Sequence, residues 1–199
     1  MEKINTDKGI YEYELKNLET GNHIINREIS KENLLELKKV FNKNKIKFIL
    51  SYGTLLGTIR ENNFIEYDED VDVAILDEDR LKLINTLFEL RNIGLEVVRY
   101  KKDLMSVMKN GEYIDIYIFR KGYFGYRNTN KQVIKEKYLK DTIKYELFGV
   151  LFDIPNDYKN YLIDLYGQDW LIPKNNCHAY SPNRYVRLKR FINKRLFLK

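Results

Sequence analysis

The 199-residue chain has little cysteine, proline or histidine: Cys177 alone, prolines at 155, 173 and 182, and two histidines. A single cysteine excludes an intramolecular disulfide framework and fits a reducing compartment better than a secreted setting. His178 stands beside it, but one cysteine and two histidines are too few ligands for a zinc centre. There is no Pro-rich or Ser-rich linker and no internal repeat, so one domain is expected, and the chain is long enough to bury a core without covalent staples. No window approaches the roughly 18 apolar residues of a membrane span, and the start, MEKINTDKGIYEYELKN, lacks a signal-peptide core. The expectation is a cytoplasmic protein.

What is present is a globular composition with a heavily charged surface and a net charge of +6, which would suit nucleic acid, anionic lipid or a phosphate-bearing small molecule. Charge alone does not choose among them. The periodicity says more. SKENLLELKKVF sets Leu34, Leu37, Val40 and Phe41 on one stripe, which predicts a helix with Ser30 as its N-cap. IKFILSY predicts a buried strand, TLLGTIR a short helix, DVDVAIL a strand, and Leu81, Ile84, Leu87, Phe88 and Leu90 one amphipathic helix ended by Gly94. LEVVRY, LMSVMK and EYIDIYIF predict strands, the last two joined at Asn110-Gly111 by a type I′ turn. Residues 135–152 read equally as helix or strand. DYKNYLIDLYG predicts a helix capped by Asn156 or Asp157 and stopped at Gly167. This order predicts an α/β (α+β) fold, a mixed sheet with flanking helices. Residues 1–29 show no periodicity and read as an extension. Residues 30–174 read as the domain, and 175–199 as a basic amphipathic tail.

The run YGTLLGTIRENNFIEYDEDVDVAIL gathers carboxylates where the core should form. Side chains two apart on a strand share a face, so Asp68, Asp70 and Asp72 would project together. Crowded carboxylates repel and raise one another's pKa unless a cation neutralises them, and an all-oxygen set suits Mg²⁺ or Mn²⁺ rather than zinc. Asp115, inside the apolar strand YIDIYIF, is costly to bury unpaired and would complete a triad if its strand lay beside DVDVAIL. The alternative places Asp68 and Asp70 on a solvated loop and pairs Asp115 with a lysine. Upstream, Gly53 and Thr54 follow a strand and open a helix, where an amide and a hydroxyl could hold phosphate, and Arg60 could reach the same anion. Trp170 reads as a packing residue and Lys109 as either a phosphate contact or a strand-end lysine.

These residues resemble the signature of LicD-type phosphotransferases, the group of bacterial phosphocholine transferases and fukutin-related enzymes within the nucleotidyltransferase superfamily. The match falls on Gly53, Thr54, Leu55, Leu56, Gly57 and Arg60, then Tyr67, Asp68, Asp70 and Asp72, with Tyr67 where tryptophan is common and Glu69 in place of the middle aspartate. IDIYIF resembles the strand of the third carboxylate. FDIPNDYKNYLIDLYGQDWLIP resembles the family's C-terminal segment. The resemblance implies transfer of a phospho-alcohol from a CDP-linked donor to a glycan or lipid-linked glycan hydroxyl, with release of CMP. It also implies Mg²⁺ on Asp70 and Asp72, Asp115 as third ligand or general base, Asp68 as ligand or base, and donor phosphate on Gly53, Thr54 and Arg60.

Two other functions compete at this level. A nucleotidyltransferase that moves NMP from an NTP to a small hydroxylated acceptor would share the glycine turn and the aspartates. A nucleic-acid-binding module fits the charge, but carboxylates inside the best motif interrupt the basic track that a phosphate backbone needs, so no nucleic-acid partner is expected. The segment 184–199 interleaves arginine and lysine with apolar residues, which suits either peripheral contact with an anionic membrane or an ordinary docked helix.

Overall fold

The structure is a computed structural model that describes residues 1–18, 23–129 and 132–173. Its centre is a seven-stranded mixed sheet. Five strands run in the order β3 (Phe48–Leu50), β4 (Val71–Leu76), β7 (Glu112–Lys121), β6 (Leu104–Lys109) and β5 (Glu96–Lys101), and β8 (Tyr126–Asn128) and β9 (Val133–Lys135) continue from the far end of β7. Only β4 and β7 are parallel; every other neighbouring pair is antiparallel. The run VDVAIL is apolar because β4 lies between two strands and is covered on both faces.

The predicted strands and turn form where expected. Asn110 and Gly111 both take positive φ, 54° and 85°, as a type I′ hairpin requires. Helix α2 (Tyr52–Glu61) opens directly after β3, and α6 (Tyr158–Tyr166) ends at Gly167. Asp157 is the N-cap residue of α6, but its side chain makes no capping bond.

Other expectations are corrected. Helix α1 (Arg27–Lys43) starts before Ser30: Asn26 is the cap, its side chain accepting from the Ile29 amide at 3.2 Å, while Ser30 is buried and donates to Glu112. The single helix expected from Asp79 is a 3-10 turn at Asp77–Asp79 followed by α3 (Arg80–Asn85) and α4 (Leu87–Asn92). They part at Thr86, whose buried hydroxyl donates to the Leu83 carbonyl at 2.8 Å and competes with the helical ladder. Residues 135–152 divide into a short helix α5 (Lys137–Lys140) and a hairpin of β10 (Thr142–Leu147) and β11 (Val150–Pro155), turned at Phe148-Gly149. The N-terminal residues form a hairpin, β1 (Glu2–Thr6) and β2 (Gly9–Tyr13), whose Ile4, Tyr11 and Tyr13 join the same buried core as the sheet. Among the described residues, no helix is long and apolar enough to cross a membrane.

Candidate active site

A row of polar residues crosses four strands at one level of the sheet. Asp72 on β4 is paired with Asp115 on β7, Asp115 with Ser106 on β6, and Ser106 with Arg99 on β5. Residues in register point to the same face, so four hydrophilic side chains line up inside strands that are otherwise apolar. Asp72, Asp115 and Ser106 are all buried. Asp70 stands one residue before β4, near enough to Asp72 and Asp115 for their charges to act on it, and Asp68 lies on the loop before it; both keep part of their surface exposed. Asp70 is thus a part-exposed loop residue at the mouth of β4, and Asp115 pairs with an arginine rather than a lysine.

The glycine turn serves Asp72. The Gly53 amide donates to Asp72 Oδ2 at 3.0 Å, the Asp72 amide donates to Thr54 Oγ1 at 2.7 Å, and the Ser51 amide donates to the Asp72 carbonyl at 3.1 Å. Thr54 is fully buried and its hydroxyl is taken by the Asp72 backbone amide, while the Gly53 amide, also expected at phosphate, is engaged by the Asp72 carboxylate. Gly53 also makes room for Asp68: a Cβ there would lie 2.3 Å from Asp68 Oδ2. Arg60, expected to face an anion, donates to Glu61 Oε1 at 2.8 Å with only 12% of its side chain exposed. Lys109 is held by Glu36 at 2.5 Å, and Trp170 is a buried packing residue.

Several contributors escaped the sequence reading. Arg99 Nη2 donates to both Asp115 oxygens, at 2.9 and 2.8 Å, and Arg99 Nε donates to Ser106 Oγ at 2.9 Å. Ser106 in turn donates to Asp115 Oδ1 at 2.5 Å. The only available signal was an arginine and a serine within apolar strands, which has no meaning until the register is known. Tyr117 hydrogen-bonds to Asp72 and meets the tilted ring of Tyr52 at 4.5 Å between centroids, and Tyr52 holds a left-handed φ of 42°. Ser51 and Tyr161 share a 2.5 Å hydrogen bond that ties α6 to the start of α2.

The electrostatics follow from this crowding. Burial, chiefly, pushes the Asp68 carboxyl up to about 6. Burial followed by the charges of Asp72 and Asp115 raises Asp70 well above the carboxylate range, and burial followed by Asp68 and Asp115 raises Asp72, against the pull of the Gly53 amide and Tyr117. Burial also raises Asp115, opposed by Arg99 and Ser106. A cluster that resists its own ionisation in this way fits a bound cation, and its all-oxygen donors fit Mg²⁺ or Mn²⁺. Asp70 and Asp72 carry that fit. Asp115, the third ligand expected, is bound to Arg99 and Ser106, and among the described residues no group of three histidine, cysteine or acidic side chains is placed to hold a metal ion. Cys177, His178 and the basic segment 184–199 lie outside the described residues.

The family model for the LicD/FKTN/FKRP nucleotidyltransferase domain matches residues 45–157, from the strand before the glycine turn to the end of the β10–β11 hairpin. The chain belongs to this LicD/FKTN/FKRP family. Among relatives, the ribitol-5-phosphate transferase FKTN of Homo sapiens is 30% identical over 157 residues, covering 74% of this chain and 34% of FKTN. An uncharacterized protein of Rickettsia typhi is 32% identical over 83 residues, covering 42% of this chain and 26% of its own length. The chain thus spans about a quarter to a third of the curated relatives it matches. Among solved structures, the antibiotic-resistance factor ANT(2'')-Ia aligns over 85% of both chains at 10% identity with a TM-score of 0.48. The matched span therefore holds the whole polar row of Asp72, Asp115, Ser106 and Arg99, with the N-terminal hairpin before it and α6 after it.

Proposed function

We propose that this LicD/FKTN/FKRP domain transfers a phospho-alcohol from a CDP-linked donor to a glycan hydroxyl, releasing CMP, with a divalent cation held by Asp70 and Asp72. The observation that carries the reading is the in-register apposition of Asp72 and Asp115 on parallel neighbours, with the Asp70 carboxylate crowded against both. The name of FKTN, a ribitol-5-phosphate transferase, supports a polyol phosphate as the group moved. The cation would offset charge on the phosphoryl oxygens and on the departing CMP. The protein's own groups then have separate tasks. The Gly53 amide fixes the Asp72 carboxylate, Thr54 holds the Asp72 backbone amide, and Tyr117 supports the carboxylate from the side. Asp68, at the open edge of the cluster, takes the proton of the attacking hydroxyl.

The test incubates the protein with Mg²⁺ and a panel of CDP-alcohols and NTPs, and identifies the products. Expected are CMP release from one CDP-alcohol and loss of that release in Asp70→Asn/Asp72→Asn. Pyrophosphate release from an NTP would instead establish NMP transfer, the activity named in the family's nucleotidyltransferase description.

A further inference from the structure

A two-cation phosphoryl-transfer site needs a carboxylate free to turn its oxygens toward both ions. Asp115 is placed like such a bridge, in register with Asp72, but its oxygens are committed elsewhere. Oδ1 accepts from Ser106 Oγ and Arg99 Nη2, and Oδ2 accepts from Arg99 Nη2. Arg99 Nε also binds Ser106 Oγ, so guanidinium, hydroxyl and carboxylate close a three-membered ring of hydrogen bonds. Charge-assisted bonds of this kind are short and directional, and the ring fixes the rotamer of each member. Asp115 and Ser106 are buried, and the Arg99 side chain is only 21% exposed, so water competes poorly for any of these contacts. Asp70 and Asp72 differ: among the described residues neither pairs with a lysine or arginine.

We propose that Arg99 is a positioning residue that holds Asp115 as an already neutralised carboxylate and thereby limits the site to one divalent cation, on Asp70 and Asp72. Arg99 stands where a second cation would otherwise be needed to offset Asp115. The inference rests on the cation-dependent reading above and adds the number of ions and what sets it. Arginine suits the task because it stays charged and presents several donors in one plane, so that Nη2 and Nε serve two partners at once.

The experiment counts Mn²⁺ bound per chain by electron paramagnetic resonance, in the full-length protein and its variants, and follows Tm with and without Mn²⁺. The wild type is expected to bind one Mn²⁺, lost in Asp70→Asn/Asp72→Asn. Arg99→Gln takes the guanidinium from Asp115 and frees its oxygens, so it is expected to bind a second Mn²⁺, to have a lower Tm in EDTA, and to gain more from Mn²⁺ than the wild type does. Arg99→Lys restores a charge beside Asp115 and should return the count to one. Two Mn²⁺ in the wild type would overturn the proposal even if Arg99→Gln could not be purified. One Mn²⁺ of equal affinity in wild type and Arg99→Gln would overturn the role of Arg99 and leave the cation-dependent reading standing. No Mn²⁺ in any of the proteins would remove both.

Discussion

At the scale of the residue, the two glycines of the GTLLG turn are constrained by different neighbours, and their alanine variants should part accordingly. A Cβ on Gly53 meets the end of the Asp68 side chain, which can rotate away, whereas one on Gly57 meets backbone, Asn63 O at 2.5 Å and Ile65 N at 2.9 Å. Gly53→Ala should therefore cost less than about 1 kcal/mol of stability yet lower activity at least tenfold by displacing Asp68. Gly57→Ala should cost about 1–3 kcal/mol, as forced overpacking does. Denaturant melts beside a turnover assay separate the two. The pH dependence has a definite sign. The Asp68 carboxyl is raised from 3.8 to about 6, so between those values the folded protein binds more protons than the unfolded chain. Stability contributed there falls as pH rises through the window and is gone above it, a loss of roughly 1–3 kcal/mol. In EDTA, the wild type should lose Tm relative to Asp68→Asn between pH 4.5 and 7; parallel curves would refute this.

At the scale of the element, the N-terminal hairpin is part of the core despite its lack of periodicity. Tyr11 is fully buried, meets Phe88 edge-on at 5.3 Å, and carries the Arg91 guanidinium 3.8 Å above its ring. Tyr11→Ala should cost about 3–5 kcal/mol, the range for truncating a large buried aromatic, and chemical denaturation would measure it. A five-residue strand buries alternate residues only, and Ile4, Tyr11 and Tyr13 are too few to stand out against a tyrosine-rich background. The break at Thr86 was equally illegible, since Leu81 to Leu90 keep a helical stripe across it, and it shows only where the Thr86 amide and hydroxyl both turn to the Leu83 carbonyl. By contrast, the Asn110-Gly111 turn could be read directly, because its conformation depends on those two residues alone. Gly111→Ala should cost about 1–2 kcal/mol through its positive φ and leave the cation site unaltered, as Mn²⁺ binding would show.

At the scale of the whole molecule, the fold tolerates a repulsive acidic cluster in exchange for a site. Removing two of the charges in Asp70→Asn/Asp72→Asn should raise Tm in EDTA, by about 2–4 °C for each kcal/mol of relieved repulsion, while abolishing the response to Mg²⁺. A differential thermal scan with and without Mg²⁺ checks both halves, and an unchanged Mg²⁺ response would place the cation elsewhere. The sequence by itself determined the local and short-range features: the glycine turn after a strand, the alternating aspartates, the hairpin turn and most elements of a mixed α/β sheet. These depend on spacing within about two dozen residues, and spacing is what a sequence records. Only the tertiary structure decided what those residues touch. Gly53 and Thr54 bond Asp72 rather than stand open to phosphate, and Arg60 is held by Glu61. The polar row of Asp72, Asp115, Ser106 and Arg99 exists only because four strands pair in one register, and a shift of one residue in any of them would send its member to the opposite face.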